Sequence, residues 1–125
     1  MSNIIDGKAI AAKIENETAQ QVAVLKSKGI TPKLAVVLVG EDRPSRIYIK
    51  RKKEAAERVG MTFELHELPE NITKEGLIEA VNKIQTDPLL TGLIIQLPLP
   101  ERLYVPEVLN AINTDIDVDC LTDCN

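Results

Sequence analysis

Aromatic side chains are scarce in this sequence of 125 residues, in which Phe, Trp and Tyr together make up 2% and Trp is absent. Proteins that bind single-stranded nucleic acid commonly stack the bases on aromatic rings, and an acidic protein repels the phosphate backbone. The formal net charge of this chain is −4 at pH 7. We therefore expect no nucleic acid among its partners.

Long apolar runs are missing as well. A helix needs about 18 or more apolar residues to span a membrane, and no run of this sequence approaches that length. The N-terminal stretch MSNIIDGKAI also lacks the basic start and the long apolar core of a secretory signal. These observations predict a cytoplasmic protein with no membrane partner.

Motifs for metals and nucleotides are absent too. Cys120 and Cys124 have no second Cys or His pair that would complete a zinc site, and we expect both thiols to be reduced. The six glycines never form a G-x-G pair, so the sequence has neither a dinucleotide fingerprint nor a P-loop. We expect no metal ion and no cofactor-binding residue within this chain.

The sequence does contain alternating helical and strand patterns. Helices are predicted over about 7–28 and 44–59, from Thr73 to TDP, and near VPEVLNAIN, with strands in LAVVLVG, MTFELHEL and TGLIIQLPLP. The alternation in MTFELHEL is typical of a strand closer to a sheet edge. Strands and helices in this order favour parallel pairing. We predict an α/β fold, a three-layer αβα domain with a small, mainly parallel sheet, over residues 1–125.

Ligand sites in open parallel sheets form at the carboxyl ends of the strands. Here those ends are the loop GEDRPS with the helix that it leads into, and QLPLP after the third strand. Gln96, the first residue of QLPLP, offers both a donor and an acceptor to a ligand or to a neighbouring ammonium. A strand-end glutamine that bonds only to backbone is the alternative.

The helix after GEDRPS carries four consecutive cations, Lys50 to Lys53. At about 100° per residue, only Lys52 of the four shares one inward side, because Lys50 and Lys53 project away from it and Arg51 lies toward its far edge. The residues on that side are Ser45, Tyr48, Lys52, Ala55, Ala56 and Val59. A lysine drawn into a partly apolar cleft loses hydration, which can bring its pKa toward neutrality and let it act as a general acid or base. Spacing alone equally allows Lys52 to reach out to solvent.

The stretch DIDVD contains three alternating carboxylates, Asp115, Asp117 and Asp119. It lacks the glycine and the terminal glutamate of an EF-hand loop, so metal binding is not favoured. In an extended segment the alternation would place all three carboxylates on one side. A single carboxylate that accepts paired N–H donors from a ligand ring is the simpler hypothesis.

Four stretches of the chain together resemble one enzyme family. They are IIDGKAIAAKI, LAVVLVGEDRPSRIYIKRKKEAAERVGM, GLIIQLPLP and DIDVDCLTDCN, and they contain the motifs S-x-x-Y-x-x-x-K, G-x-x-x-Q-L-P-L-P and D-V-D. Over essentially its whole length the chain resembles the N-terminal catalytic domain of the bifunctional methylenetetrahydrofolate dehydrogenase/methenyltetrahydrofolate cyclohydrolase.

The resemblance implies roles for the matching residues. Lys52 would be the catalytic lysine, Gln96 would hydrogen-bond and position it, and Tyr48 would stack against the pterin. Asp119 would hold the amino-pyrimidine edge of the folate. With the motif serine and the strand segment that lines the folate site, the implied substrate-binding residues are Tyr48, Lys52, Ile95, Gln96, Leu97, Asp119 and Ser45.

The implied reactions belong to one-carbon metabolism and purine biosynthesis. Hydride passes from 5,10-methylenetetrahydrofolate to NADP or NAD, and hydration of the methenyl product then gives 10-formyltetrahydrofolate. In the family a Rossmann-type second domain binds the dinucleotide, and this chain is expected to lack it, as an excised domain or a natural truncation. The family is typically homodimeric, and a monomer is an open alternative for this chain.

Two further expectations follow from the resemblance. The family usually has glycine directly after D-V-D, where this sequence has Cys120. If that position needs a positive φ, the cysteine Cβ costs about 1 kcal/mol or more and shifts Asp119. A chain without its second domain is also expected to expose an apolar patch.

Three hypotheses about function stay open at this point. The first is an enzyme, the folate-binding catalytic half of the dehydrogenase/cyclohydrolase. The second is a truncated folate-binding or interaction module without turnover of its own. The third is an acidic α/β interaction domain with no folate site.

Overall fold

A computed structural model describes residues 3–125 of the chain. They form a three-stranded parallel sheet, four α-helices and one 3-10 helix. In chain order the elements are α1 (Gly7–Ser27), β1 (Lys33–Val39), α2 (Arg43–Val59), β2 (Thr62–Leu68), α3 (Lys74–Ile84), β3 (Gly92–Ile95), the 3-10 helix (Glu101–Leu103) and α4 (Pro106–Leu109). Within the described part of the chain, no helix combines the length and the apolarity needed to cross a membrane.

The ends of the first two helices follow from their capping residues. The Asp6 carboxylate accepts a hydrogen bond from the Ala9 amide at the start of α1, and Gly29 just beyond its end has a φ of 79°. Gly60 ends α2 in the left-handed conformation, with a φ of 87°. Both predicted stops are therefore confirmed, because glycine has no Cβ to oppose a positive φ.

The central strand β1 builds the core. It pairs in parallel with β2 on one side and β3 on the other, so the strand order is β2-β1-β3 and β2 lies at an edge as predicted. Its residues from Ala35 to Val39 are at most 4% exposed. Val36 and Leu38 pack with Ile49 of α2, whereas the alternate residues of β1 pack against α3 and α4. The helices thus cover both faces of the sheet, which confirms the α/β fold.

The long helix α1 packs mainly on α2 and buries little of itself. Val22 is its one buried residue, and the Arg58 guanidinium of α2 donates to the Glu15 carboxylate at 2.6 and 3.1 Å. Ile10 and Ile14, which define the helical spacing of this segment, are 50% and 56% exposed. The N-terminal part of α1 therefore presents apolar side chains to solvent, in line with the expected apolar surface.

The segment after α4 returns along the outer edge of β3. The Leu93 amide donates to the Ile116 carbonyl at 2.9 Å, and Leu93 and Asp117 form an isolated parallel bridge. The prediction that the carboxylates of DIDVD lie on one side is wrong. The segment consists of turns rather than a strand, so Asp117 is 7% exposed while Asp115 and Asp119 face solvent.

Cys120 has the only positive φ of a non-glycine residue within residues 3–125, at 55°. Its thiol and that of Cys124 are both free and exposed. The condition under which the cysteine Cβ would be costly, a positive φ at this position, is therefore met, and the Cβ opposes the conformation.

Replacing Cys120 by glycine is expected to stabilise the fold. Relief of the left-handed strain is worth about 1–2 kcal/mol, and the greater freedom of unfolded glycine offsets about 0.5–1 kcal/mol of this. We expect Cys120→Gly to raise the free energy of unfolding by about 0.5–1 kcal/mol, as measured by urea denaturation. Cys120→Ala keeps the Cβ and serves as control, and an equal gain in both variants would contradict the strain argument.

Candidate functional site

The side chains of Lys52 and Gln96 meet at the carboxyl edge of the sheet. The Lys52 ammonium donates to Gln96 Oε1 at 2.8 Å, and Gln96 Nε2 donates to the Leu97 carbonyl at 3.0 Å. Gln96 directly follows β3, and its own amide donates to the Val37 carbonyl of β1. The sheet thus fixes the backbone of the glutamine, whose side chain in turn fixes the lysine.

The four consecutive cations of α2 separate as the helical pattern predicts. Lys52 is partly buried, whereas Lys50, Arg51 and Lys53 are exposed. Of the two alternatives for Lys52, the structure has the inward one, because its ammonium bonds to the buried amide of Gln96, which is 8% exposed.

Tyr48 lies one helical turn before Lys52 on the same helix, and its side chain is 56% exposed. Residues four apart in a helix are neighbours on its surface. An exposed phenol ring beside an anchored lysine offers a flat apolar surface to a planar ligand. Ile95 is fully buried in β3, and Leu97 is partly exposed at the start of the loop that follows.

A surface hollow of about 320 Å³ adjoins this loop and is largely apolar. Leu97 is the one predicted site residue that lines it. The complete lining is Leu97, Pro98, Leu99, Glu101 and Tyr104. The peptide bond between Leu97 and Pro98, two residues of this lining, is cis.

Ser45 is buried at the start of α2 and bonds to its cap. The Asp42 carboxylate accepts from the Ser45 amide at 2.9 Å and from the Ser45 hydroxyl at 2.6 Å. These hydrogen bonds hold the pKa of Asp42 below its ordinary value. Ser45 Oγ also lies 3.5 Å from the Leu97 carbonyl, which places the serine between α2 and the loop after β3. The sequence analysis missed Asp42, although an Asp just before Arg-Pro is a typical N-cap.

Asp117 was one of the three carboxylates singled out from the sequence, but its role as the buried centre of hydrogen bonding in the C-terminal loop was not predicted. Its carboxylate accepts hydrogen bonds from the Leu121 amide, from the amide and hydroxyl of Thr122, and from the Asn125 side chain. Burial raises the pKa of Asp117, but these hydrogen bonds outweigh burial and leave the pKa below its ordinary value. No local pattern distinguishes this carboxylate from its neighbours, because its donors come later in the chain and reach it only when the loop folds back.

Asp119 lies on this loop, exposed, and makes no side-chain hydrogen bond to the other residues described. The structure therefore brings Lys52, Gln96, Leu97 and Ser45 into one connected group, with Tyr48 next to Lys52 on the helix. Asp119 is not in hydrogen-bonding contact with that group. It is tied to the same edge indirectly, through the pairing of Leu93 and Asp117.

The loop after β1 does not fit a dinucleotide. Pyrophosphate binds at a helix N-terminus through free amides and glycines that allow close approach. At the N-terminus of α2, the Asp42 carboxylate already occupies the Ser45 amide, and Glu41 adds a second negative charge beside it. Among the residues described, no group of three or more His, Cys, Asp or Glu side chains could hold a metal ion.

Acid should remove the stabilisation that the Asp117 hydrogen bonds provide. Because the native pKa lies below the ordinary value, this stabilisation is complete at neutral pH and is lost as the pH falls below about 4. We expect the difference in melting temperature between wild type and Asp117→Asn to be constant from pH 7 to 5 and to shrink toward pH 3. Asp115→Asn, at an exposed carboxylate, should show no such convergence, and a difference that grows on acidification would contradict the assignment.

Comparisons with known proteins identify the family of this chain. The family model described as "Tetrahydrofolate dehydrogenase/cyclohydrolase, catalytic domain" matches residues 5–119. The bifunctional protein FolD of Geotalea uraniireducens is 46% identical over 119 residues, which cover 95% of this chain and 42% of the relative. The chain thus spans about 42% of the length of the curated relatives it matches.

Solved structures give the same result. The bifunctional enzyme FolD of Campylobacter jejuni superimposes with a TM-score of 0.91 at 39% identity, over 95% of this chain and 42% of that one. The Trypanosoma brucei methylenetetrahydrofolate dehydrogenase-cyclohydrolase, solved with NADP and an inhibitor, gives a TM-score of 0.92 at 32% identity, over 99% and 42%. The chain belongs to the tetrahydrofolate dehydrogenase/cyclohydrolase family, and what it matches there is the catalytic domain.

Proposed function

We propose that the chain is the folate-binding catalytic domain of an enzyme that oxidises 5,10-methylenetetrahydrofolate to the methenyl compound and hydrolyses that to 10-formyltetrahydrofolate. The observation that carries the proposal is the 2.8 Å hydrogen bond between Lys52 and Gln96, at the carboxyl edge of a parallel sheet in a chain of this family. We assign the activity to cytoplasmic one-carbon metabolism and purine biosynthesis.

Lys52 would move protons during the hydration step. Water adds to the bridging methenyl carbon, and Lys52 in its amine form takes one proton from that water. The resulting ammonium then returns the proton to the N5 nitrogen of the folate as the bond between N5 and the bridging carbon breaks. The second proton of the water goes to solvent, which leaves the neutral formyl product. Gln96 keeps the lysine within reach of both positions, since its amide oxygen accepts from the Nζ atom.

The other site residues would bind and orient the folate. Tyr48 would stack on the pterin through its exposed ring, and Asp119 would accept the N–H donors of the amino-pyrimidine edge. Leu97 would form the wall beside Gln96, whereas Ile95, which is 0% exposed, would support that wall from within the core. Ser45 would act through the loop, because its hydroxyl lies between the Asp42 carboxylate and the Leu97 carbonyl.

The oxidation step needs a hydride acceptor, NADP or NAD, and we propose that the dinucleotide is bound outside these 125 residues. The acidic cap of α2 and the absence of a G-x-G pair from the sequence both support this placement. The part of the chemistry that belongs to this chain is therefore the holding of the folate and the proton transfers at Lys52.

Binding without turnover is a second candidate function, and the exposure of Tyr48 favours it. Because this ring is 56% exposed, a ligand stacked on it would stay partly open to water. We propose this behaviour for the chain on its own, as a monomer. Turnover of methenyltetrahydrofolate distinguishes the two candidates.

The catalytic role of Lys52 can be tested by mixing the chain with 5,10-methenyltetrahydrofolate and following the loss of its absorbance. We expect hydrolysis faster than in buffer, and we expect Lys52→Ala to lower the enzymatic rate by about 100-fold or more, as for loss of a general acid–base group. Lys53→Ala, at the exposed neighbour, is the matched control and should keep the wild-type rate. Equal rates for wild type and Lys52→Ala would contradict the catalytic role of Lys52, and folate binding without turnover would be the remaining candidate function.

The stacking role of Tyr48 is tested by titration with a folate analogue. We expect Tyr48→Ala to weaken binding about tenfold, since an aromatic pair contributes about 0.5–1.5 kcal/mol beyond its buried area. Tyr48→Phe keeps the ring and should bind within about twofold of wild type, as follows if the ring face rather than the hydroxyl makes the contact. Loss of affinity in both variants would point to the hydroxyl instead.

A further inference from the structure

The C-terminal loop is organised around one buried carboxylate, that of Asp117. Its Oδ1 atom accepts from the Leu121 amide at 3.0 Å, and its Oδ2 atom accepts from the Thr122 amide and the Thr122 hydroxyl, both at 2.9 Å. The Asn125 amide adds a fourth hydrogen bond to Oδ2 at 3.2 Å. Both carboxylate oxygens thus accept their hydrogen bonds from within the loop, and the residue is only 7% exposed.

The loop that these hydrogen bonds close contains Asp119. The bond from Leu121 back to Asp117 encloses three residues, Val118, Asp119 and Cys120, all of them exposed. The side chain of Asp119 has no hydrogen-bonding partner of its own within residues 3–125. Its position therefore depends on the backbone of the loop, and the backbone depends on Asp117.

The conformation at Cys120 is independent evidence that the loop is held firmly. A cysteine with a φ of 55° persists only where its surroundings impose that conformation. Cys120 lies between Asp117 and the two residues whose amides bond to the Asp117 carboxylate. Those bonds supply the constraint, and they fix the residue next to Asp119.

Asp117 is also connected to β3, the strand that Gln96 directly follows. Asp117 forms a parallel bridge with Leu93, and the Leu93 amide donates to the Ile116 carbonyl at 2.9 Å. The chain at Asp117 runs in the same direction as β3, which leads to Gln96 at the carboxyl edge. Asp117 therefore links the position of Asp119 to the edge at which Lys52 and Gln96 meet.

We propose that Asp117 is a positioning residue, whose carboxylate holds Asp119 where it can read the amino-pyrimidine edge of the ligand. The inference rests on the proposed folate binding and deepens it. Asp117 does not touch the ligand. It determines how strongly the site prefers a ring that carries the 2-amino group over one that lacks it.

The chemistry of an Asp117→Asn change makes the inference testable. Asparagine keeps the size of the side chain but replaces one acceptor oxygen with an NH2 group. In one orientation that NH2 group faces the donors of Thr122 and Asn125, and in the other it faces the Leu121 amide. Either way donors oppose donors, so the loop has to rearrange and Asp119 moves with it.

The experiment measures dissociation constants of the chain for a 5,10-bridged tetrahydrofolate analogue and for its 2-desamino counterpart. Wild type is expected to prefer the amino compound by about tenfold or more, as for loss of a hydrogen bond to a charged group. Asp117→Asn should lower this preference to within about twofold, because the amino compound loses more affinity than the desamino compound. Asp119→Ala should do the same, and adding Asp117→Asn to it should have no further effect. Asp115→Asn, an exposed carboxylate of the same stretch, should keep the preference.

The outcomes separate the inference from the proposed function. If wild type binds neither compound, the proposed function fails, and the inference fails with it. If wild type shows the preference and Asp117→Asn keeps it, or if the variant weakens both compounds equally, the inference alone is overturned. Should circular dichroism show that Asp117→Asn is unfolded, Thr122→Val and Thr122→Ser replace it. The valine variant should lose preference and the serine variant keep it, and equal behaviour of the two would overturn the inference.

Discussion

The burial of β1 on both faces is the constraint from which the site follows. Its residues from Ala35 to Val39 are nearly inaccessible, so helices must cover both sides of the strand and its neighbours must pair along both edges. Parallel pairing then brings the carboxyl ends of all three strands to one edge. The Gln96 amide donates to the Val37 carbonyl at that edge. Helix α2 begins four residues after β1, covers one face of the sheet and brings Lys52 to Gln96.

The sequence predicted those parts of the fold that depend on local patterns. The continuous apolar run of β1, the alternation in β2 and the glycine after each of the first two helices follow from periodicity and capping, and all agree with the structure. Lys52 was separated from its three cationic neighbours by helical spacing alone. Its bond to Gln96, 44 residues away, depends on strand pairing. The pattern of α2 could therefore place Lys52 on the inward side but could not decide whether its ammonium stays there or reaches solvent.

The sequence was least informative where a turn replaces regular structure. The alternation in DIDVD indicated three carboxylates on one face, but period-2 spacing has that meaning only in an extended strand. Asp117 turns inward because its donors, at Leu121, Thr122 and Asn125, follow it in the chain and fold back on it. The isoleucines of α1 show the reverse case. Their spacing correctly predicts a helix, but their side chains are exposed rather than buried. Periodicity identifies a helix, whereas burial also requires a partner surface.

Two lysines of this chain show why the partner of Lys52 matters. Lys33 lies between the carboxylates of Asp87 and Glu64, at 2.5 and 2.6 Å, and these contacts raise its pKa, so it stays an ammonium ion and serves only as a structural cation. Lys52 bonds instead to the neutral amide of Gln96. An amide oxygen fixes the position of the Nζ atom without a negative charge that would hold its proton. In the proposed mechanism Lys52 is therefore anchored without a counter-charge, whereas Lys33 is held by two carboxylates.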